Sequence, residues 1–295
     1  MDRLEALRAI ARDAAGGDLS FPTHAQLALK IRAALDDPNC SVEQAARLIQ
    51  ADPLLSARVV GMANSVLYNR SGREVVDVKT AVNRLGFGTL RTLAMALVTR
   101  QMAGAATAPE QRVASQKLWE RTAHVAALAR ILAQRVTGQN PETALFAGLV
   151  HDIGGFYLIS RASAYPALLR IEAPLAVELA EGSEISGEDE DTDVRVEREL
   201  SVAVLRKLDV PTAVIEAVEE FWRGMLSIPP ETLGDTLLLA DVLAPVPSPL
   251  RWHDPAEAAN QRAASIDMLV GGDTLQEILH ESAADVAGLI ETLKF

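Results

Sequence analysis

Disulfide chemistry is closed to this chain, because its 295 residues include a single cysteine, Cys40. One thiol can form neither an internal bridge nor a cysteine-rich metal site, so the simplest home is a reducing cytoplasm. Histidine is also scarce: His24, His124, His151, His253 and His280 are the full set. Aromatic residues make up 4% of the chain, and alternating β-branched runs are few, which argues against sheet and for helix. Positive charge is the minority sign, with 28 Lys and Arg against 40 Asp and Glu, a net charge of −12. A nucleic-acid backbone needs a basic face to neutralise its phosphates, so no nucleic acid is expected as a partner, and acidic lipid surfaces are disfavoured for the same reason. No uncharged run reaches about 18 residues, the usual length of a membrane span. The start Met1-Asp2-Arg3-Leu4-Glu5 lacks the charged-then-apolar pattern of a secretion signal. The expectation is a cytoplasmic chain with no membrane partner.

What the chain does have is apolar mass. Hydrophobic residues form 49% of it and its mean hydropathy is +0.12, ample for a buried core at this length. Helix punctuation is regular. A helix over 3–14 stops at Gly16-Gly17, and a second segment opens at Phe21-Pro22-Thr23 and breaks at Asp36-Asp37-Pro38. Ser41 and Gln44 have the spacing of a capping box that starts a helix over 41–50. Asp52-Pro53 sets an N-cap before a proline at the first helical position. Further helices are expected over 80–85, ending at Gly86, and then over 88–103, 113–136, 142–152, 194–208, 211–224, 231–244, 254–268 and 273–293. The segment from Glu181 to Asp193 carries seven acidic residues and no basic one; like charges at that density resist packing, so an exposed acidic loop is expected there.

One run stands apart: Phe146-Ala147-Gly148-Leu149-Val150-His151-Asp152-Ile153-Gly154. It is an apolar stretch that ends in an imidazole and a carboxylate side by side, a pairing suited to a divalent metal. Gly86-Phe87-Gly88 and Gly271-Gly272-Asp273 lack the remaining parts of a nucleotide-binding fingerprint.

The order of these pieces carries a family resemblance. The step Asp52-Pro53-Leu54, then Ala63-Asn64-Ser65, then the helix from Ala81 to Leu85-Gly86, then His151-Asp152-Ile153-Gly154 resembles the HDOD domain, a bacterial signalling relative of the HD phosphohydrolases. The likeness spans roughly residues 20–222 and implies an all-α, two-lobed fold. The expected division is 1–19 as an N-terminal helix, 20–108 as a helical lobe, 109–250 as an HD-like helical lobe with the acidic loop 181–193, and 251–295 as a C-terminal helical extension. Asp52 and Pro53 read as helix-start signals, and Asn64 and Ser65 as residues that bridge or end helices by side-chain hydrogen bonds.

The resemblance also implies a metal site, in which a helical His, the His-Asp pair and a distant Asp hold a divalent ion that activates water. His151 and Asp152 match the pair, and Asp241 in the apolar run Leu237-Leu238-Leu239-Ala240-Asp241 matches the distant carboxylate. The first ligand position falls on Arg121. His124 stands three residues later, about 4.5 Å along a helix axis, more than a metal bond of about 2 Å tolerates. Where the family often carries paired histidines, this chain has Phe221-Trp222. Glu197 and Glu220 remain nearby and are expected to be exposed helix acids. A dimetal centre is therefore not expected, and neither is any other cofactor.

Arg121 is expected to replace the metal by pairing with Asp152, Asp241 or both; the alternative is that it reaches solvent. Three functions follow. The first is a non-catalytic signalling module of the HDOD type that binds a regulatory protein in trans or a small ligand, such as a nucleotide second messenger. No receiver, kinase or cyclase segment is read in these residues. The second is a mononuclear metal-dependent phosphohydrolase using His124, His151, Asp152 and Asp241. The third is an effector that binds a nucleotide through Arg121 and neighbouring arginines without hydrolysing it.

Overall fold

Helix α1 (Arg3–Ala15) begins a computed structural model that describes residues 2–15, 25–51, 53–70, 72–104, 108–170, 193–208, 210–250, 272–281 and 283–293. Pro22, Asp52, the acidic residues 181–192 and the helix expected over 254–268 lie outside the described residues. The helices that follow are α2 (Ala25–Asp36), α3 (Val42–Gln50), α4 (Pro53–Asn64), α5 (Val78–Gly104), α6 (Pro109–Leu132), α7 (Pro141–Val150), α8 (Ile153–Arg161), α9 (Asp193–Lys207), α10 (Thr212–Arg223), α11 (Leu233–Leu243), α12 (Gly272–Glu281) and α13 (Ala283–Leu293). No strand occurs among the described residues, and the fold is all-α.

Local chemistry explains most boundaries. Gln44 N–H donates to Ser41 Oγ (3.2 Å) and Ser41 N–H donates to Gln44 Oε1 (2.8 Å), closing the capping box at α3. Pro53 is the first residue of α4. Asn64 then grips the returning chain from both sides: its Nδ2 donates to the Val75 carbonyl (2.7 Å) and its Oδ1 accepts from Val75 N–H (2.8 Å). Ser65 Oγ donates to the Met62 carbonyl (2.8 Å) and helps end the helix. The helices expected over 80–85 and 88–103 run as one element, α5, broken at Gly86, whose φ of 74° suits a residue without Cβ.

Helix α5 is the spine. It packs on α2, α3 and α4 on one side and on α6, α7 and α8 on the other. Its second half is apolar all round, with Leu93 to Val98 at 0–1% exposure, as a helix surrounded by others must be. The helix expected over 142–152 is α7: Asn140 caps it by accepting from Glu142 and Thr143 N–H (3.0 Å each), it stops at Val150, and a further helix, α8, starts at Ile153. By length and composition, Pro141–Arg161 is apolar enough to cross a membrane, yet 83% of its apolar window is buried inside the fold. Helix α6 begins at Pro109, earlier than expected, and its last turn relaxes into a π turn through Thr137 before Gly138 reverses the chain.

The ends of the chain close the assembly. Helix α1 lies on α9 and the short turn over 166–169, burying Ala6, Leu7 and Ile10, while α13 lies on α6 and α4. A polar cluster joins α5, α6, α7 and the loop after α4. The Glu142 carboxylate accepts from Tyr68 Oη (2.9 Å), Thr89 Oγ1 (3.2 Å) and Arg130 Nε and Nη2 (3.1 and 3.0 Å), and the Arg130 guanidinium lies over the Tyr68 ring. Burial, with the Glu142 charge beside it, pushes the Tyr68 hydroxyl up to about 12. Tyr68→Phe deletes one donor to a charged acceptor that keeps its other partners. It is expected to lower urea-unfolding stability by about 1–2 kcal/mol without a change in m-value.

Glycine has a packing role at Gly154. A Cβ there would meet Ser201 Cα and Cβ at 2.9 Å, so α8 and α9 touch backbone to backbone. Gly154→Ala is expected to cost about 1–3 kcal/mol by overpacking, whereas Gly61→Ala, with nothing within 4 Å, is expected to leave stability unchanged or slightly raised. Thermal unfolding of the two variants provides the check.

Candidate functional site

Three helix segments converge where the His-Asp pair sits. Close approach of α6 and α7 makes this possible: a Cβ on Gly148 would lie 2.5 Å from Ala126 Cα, so only glycine allows the two backbones to touch. His151 follows directly as the last cap of α7 and is fully buried. Its Nδ1 is 2.7 Å from the Gly148 carbonyl, which fixes a proton on that nitrogen and turns Nε2 toward the carboxylates. Nε2 lies 3.2 Å from Asp152 Oδ2 and 3.9 Å from Asp241 Oδ1. Both carboxylates are thus close enough to favour a charge on the ring.

Arg121 enters from α6. It is 2% exposed, and its Nη2 donates to Asp241 Oδ1 in a short ion pair and to the Asp241 carbonyl at 3.3 Å. Nη1 donates to the Val246 carbonyl at 2.6 Å. The guanidinium is therefore anchored inward and does not reach solvent. Arg121, His151, Asp152 and Asp241 meet in one cluster, and Gly154 stands just beyond them at the start of α8. His124 does not join it: its Nδ1 is 2.8 Å from the Glu120 carbonyl of its own helix. Phe221 packs its ring against His151, edge to face with centroids 5.4 Å apart, so an aromatic wall stands on the side where a second metal would need ligands.

Burial alone would lower the His151 pKa. The Asp152 carboxylate, aided by Asp241 and the Gly148 carbonyl, outweighs it, and the folded-state pKa is raised. With His151 protonated, the cluster holds two cations and two anions.

Beside the cluster is a crevice lined by Asp152, Glu197, Ser201, Trp222, Ser248 and Leu250, of about 10 Å³, room for roughly one water. Glu197 corrects the expectation of an exposed acid. It is 8% exposed, and Arg3 of α1 donates to it in a short ion pair while also donating to the Leu168 and Leu250 carbonyls. The same guanidinium lies 3.2 Å from Asp193, which is the first residue of α9 rather than the end of a loop. The pattern held the signal, since Leu200, Ser201 and Val204 at i+3, i+4 and i+7 from Glu197 are all buried. Glu220 is half-buried against Gly234.

Asp241 Oδ1 accepts from Arg121, and among the described residues no group of three or more His, Cys, Asp or Glu side chains converges where an ion could sit.

Two variants probe the cluster. Arg121→Met leaves buried carboxylates without their cation and is expected to cost about 3–5 kcal/mol, with much of the loss recovered by adding Asp241→Leu; chemical denaturation measures both. For His151 the sign follows from the raised pKa. The stabilisation is complete below the unfolded imidazole value of about 6.5 and is lost as pH rises through the folded value. The melting temperature is expected to fall as pH rises above about 6.5, and this His151-dependent slope is expected to vanish in His151→Gln.

Comparison with known proteins places the chain in a family and shows the fold it shares. The HDOD domain family matches residues 21–221. No curated protein matches the chain. Among solved structures, the chain is similar to a "putative metal-dependent phosphohydrolase" from Shewanella amazonensis SB2B, with 22% identity over 98% of each chain and a TM-score of 0.70. It is also similar to an HDOD domain protein with unknown function from Geobacter sulfurreducens, with 22% identity over 99% of this chain and 98% of that one and a TM-score of 0.62. A "putative signal transduction protein" from Marinobacter aquaeolei VT8 is 20% identical over 94% of this chain and 60% of that one, with a TM-score of 0.55.

Proposed function

This chain belongs to the HDOD domain family, and from that premise we propose that it is a non-catalytic regulatory module which acts by binding a regulatory protein supplied in trans. The observation that carries the reading is Arg121, buried on α6 and bonded to Asp241 on α11. A guanidinium carries a fixed positive charge and has no lone pair to offer a cation. The position that would complete a metal site is thus filled by a charge that is part of the chain. The adjoining crevice, about 10 Å³, is far below the roughly 300 Å³ of a small-ligand pocket, so a phosphate ester has no room beside His151 and Asp152. The same burial keeps Arg121 from gripping a nucleotide.

In this reading the HD cluster is a joint. It fixes α6, the α7–α8 break and α11 against each other, and the outer surface presents the contacts. The loop between α10 and α11 has the chemistry for such contacts. Met225 and Ile228 are each 75% exposed, while Asp235 holds the loop by accepting from Ser227, Glu231 and Thr232 N–H at 2.9–3.0 Å. Apolar side chains displayed on a tethered loop favour protein contact.

Metal analysis of protein purified without chelator, with hydrolysis of bis(p-nitrophenyl) phosphate in added Mn²⁺, tests the reading. The wild type is expected to contain no stoichiometric divalent ion and to show no turnover above the blank, and Arg121→His is expected to gain metal affinity. Stoichiometric metal in the wild type, with turnover abolished by His151→Ala, would overturn it.

A further inference from the structure

We propose that the cleft between α9 and α10 is an anion site for the phosphate groups of a small phosphorylated ligand, gripped by Arg198, Arg206 and Arg223. The inference goes beyond the function above, because it concerns a different opening. Glu197 and Ser201 line the crevice beside the His-Asp cluster. Arg198 and Val202, one position further along, line the cleft, about 100° around the same helix.

The sequence builds the cleft simply. Arg198, Val202 and Arg206 recur every four residues, which puts two guanidiniums on one side of α9 about 12 Å apart along its axis. Glu219 and Arg223 repeat the spacing on α10. The cleft is open to solvent on one side and has a volume of ≈ 430 Å³, with Glu199 and Ala203 completing the wall, within the range of small-molecule sites.

Charge decides what it takes. The two carboxylates in the wall are engaged: Glu199 accepts from Arg195 Nε at 2.9 Å, and Glu219 lies 3.6 Å from Arg206. Arg198 and Arg223 pair with no carboxylate among the described residues. A chain with a net charge of −12 thus gathers uncommitted guanidiniums around one concavity. Guanidinium forks match phosphate oxygens two at a time, and the buried Val202 gives the ligand an apolar floor. A concave wall between two helices encloses a compact ligand better than it seats an extended peptide.

Isothermal titration of the full chain with sodium pyrophosphate and with ADP tests the site. Saturable one-to-one binding is expected, weakening with added NaCl, reduced at least tenfold in Arg198→Gln/Arg223→Gln and unchanged in Arg47→Gln on α3. If the double variant loses its helical circular dichroism, Arg223→Gln alone, at the end of α10, is expected to lose at least threefold. Absence of saturable binding to either probe at millimolar concentration would overturn the proposal. So would undiminished binding in a folded double variant, or an equal loss in Arg47→Gln.

Discussion

Two carboxylates buried within reach of one histidine must be neutralised, and much of the second half of the molecule is arranged around the way this is done. Asp152 and Asp241 are met by Arg121 and by His151, whose pKa the Asp152 carboxylate raises against burial. The countercharge at Asp241 is delivered by a side chain that cannot dissociate. Removing one partner of such a set leaves an uncompensated charge away from water, which is far costlier than the net benefit of forming the pair. The arrangement is therefore stiff: α6, the end of α7 and α11 are held in one register by a requirement of charge as well as by packing.

A second arginine repeats the device on the other side of the crevice. Arg3, from the first helix, answers Glu197 and Asp193 on α9 and binds the carbonyls of Leu168 and Leu250. Between these two cations the crevice keeps little more than the space of a water molecule. Phe221 adds an apolar wall against His151. The side chains that meet here leave no larger opening among themselves.

Much of this is legible in the sequence wherever one local rule dominates. Ser41 and Gln44, Pro53, Gly86 and the Asn64-Ser65 pair behave as their side-chain chemistry dictates, because caps and breaks depend on neighbours a few residues away. The meeting of Arg121 with Asp241 is legible only through the family pattern, since 120 residues separate them. The helical spacing of Leu200 and Val204 marks the Glu197 face as inward, but its partner leaves no local signal, because Arg3 lies 194 residues away. The cluster around Glu142 leaves no local signal, for Tyr68, Thr89 and Arg130 come from three separate stretches. Helix α8 is hidden because it starts only three residues after α7 ends, and its N-cap Asp152 makes no side-chain capping bond to mark the start.

The docking of α1 on α9 has a consequence for the growing chain. Helix α1 finds most of its cover in a helix that begins only at Asp193, so it is made well before the surface it packs on. Until then Ala6, Leu7 and Ile10 lack most of their native cover, and Arg3 lacks the carboxylates of Asp193 and Glu197. Closure of such a distant contact has a large loop-entropy cost and comes late. Helix α1 is thus an adhesive segment that waits for its own distant partner, and a chaperone or a neighbouring nascent chain has that interval in which to capture it.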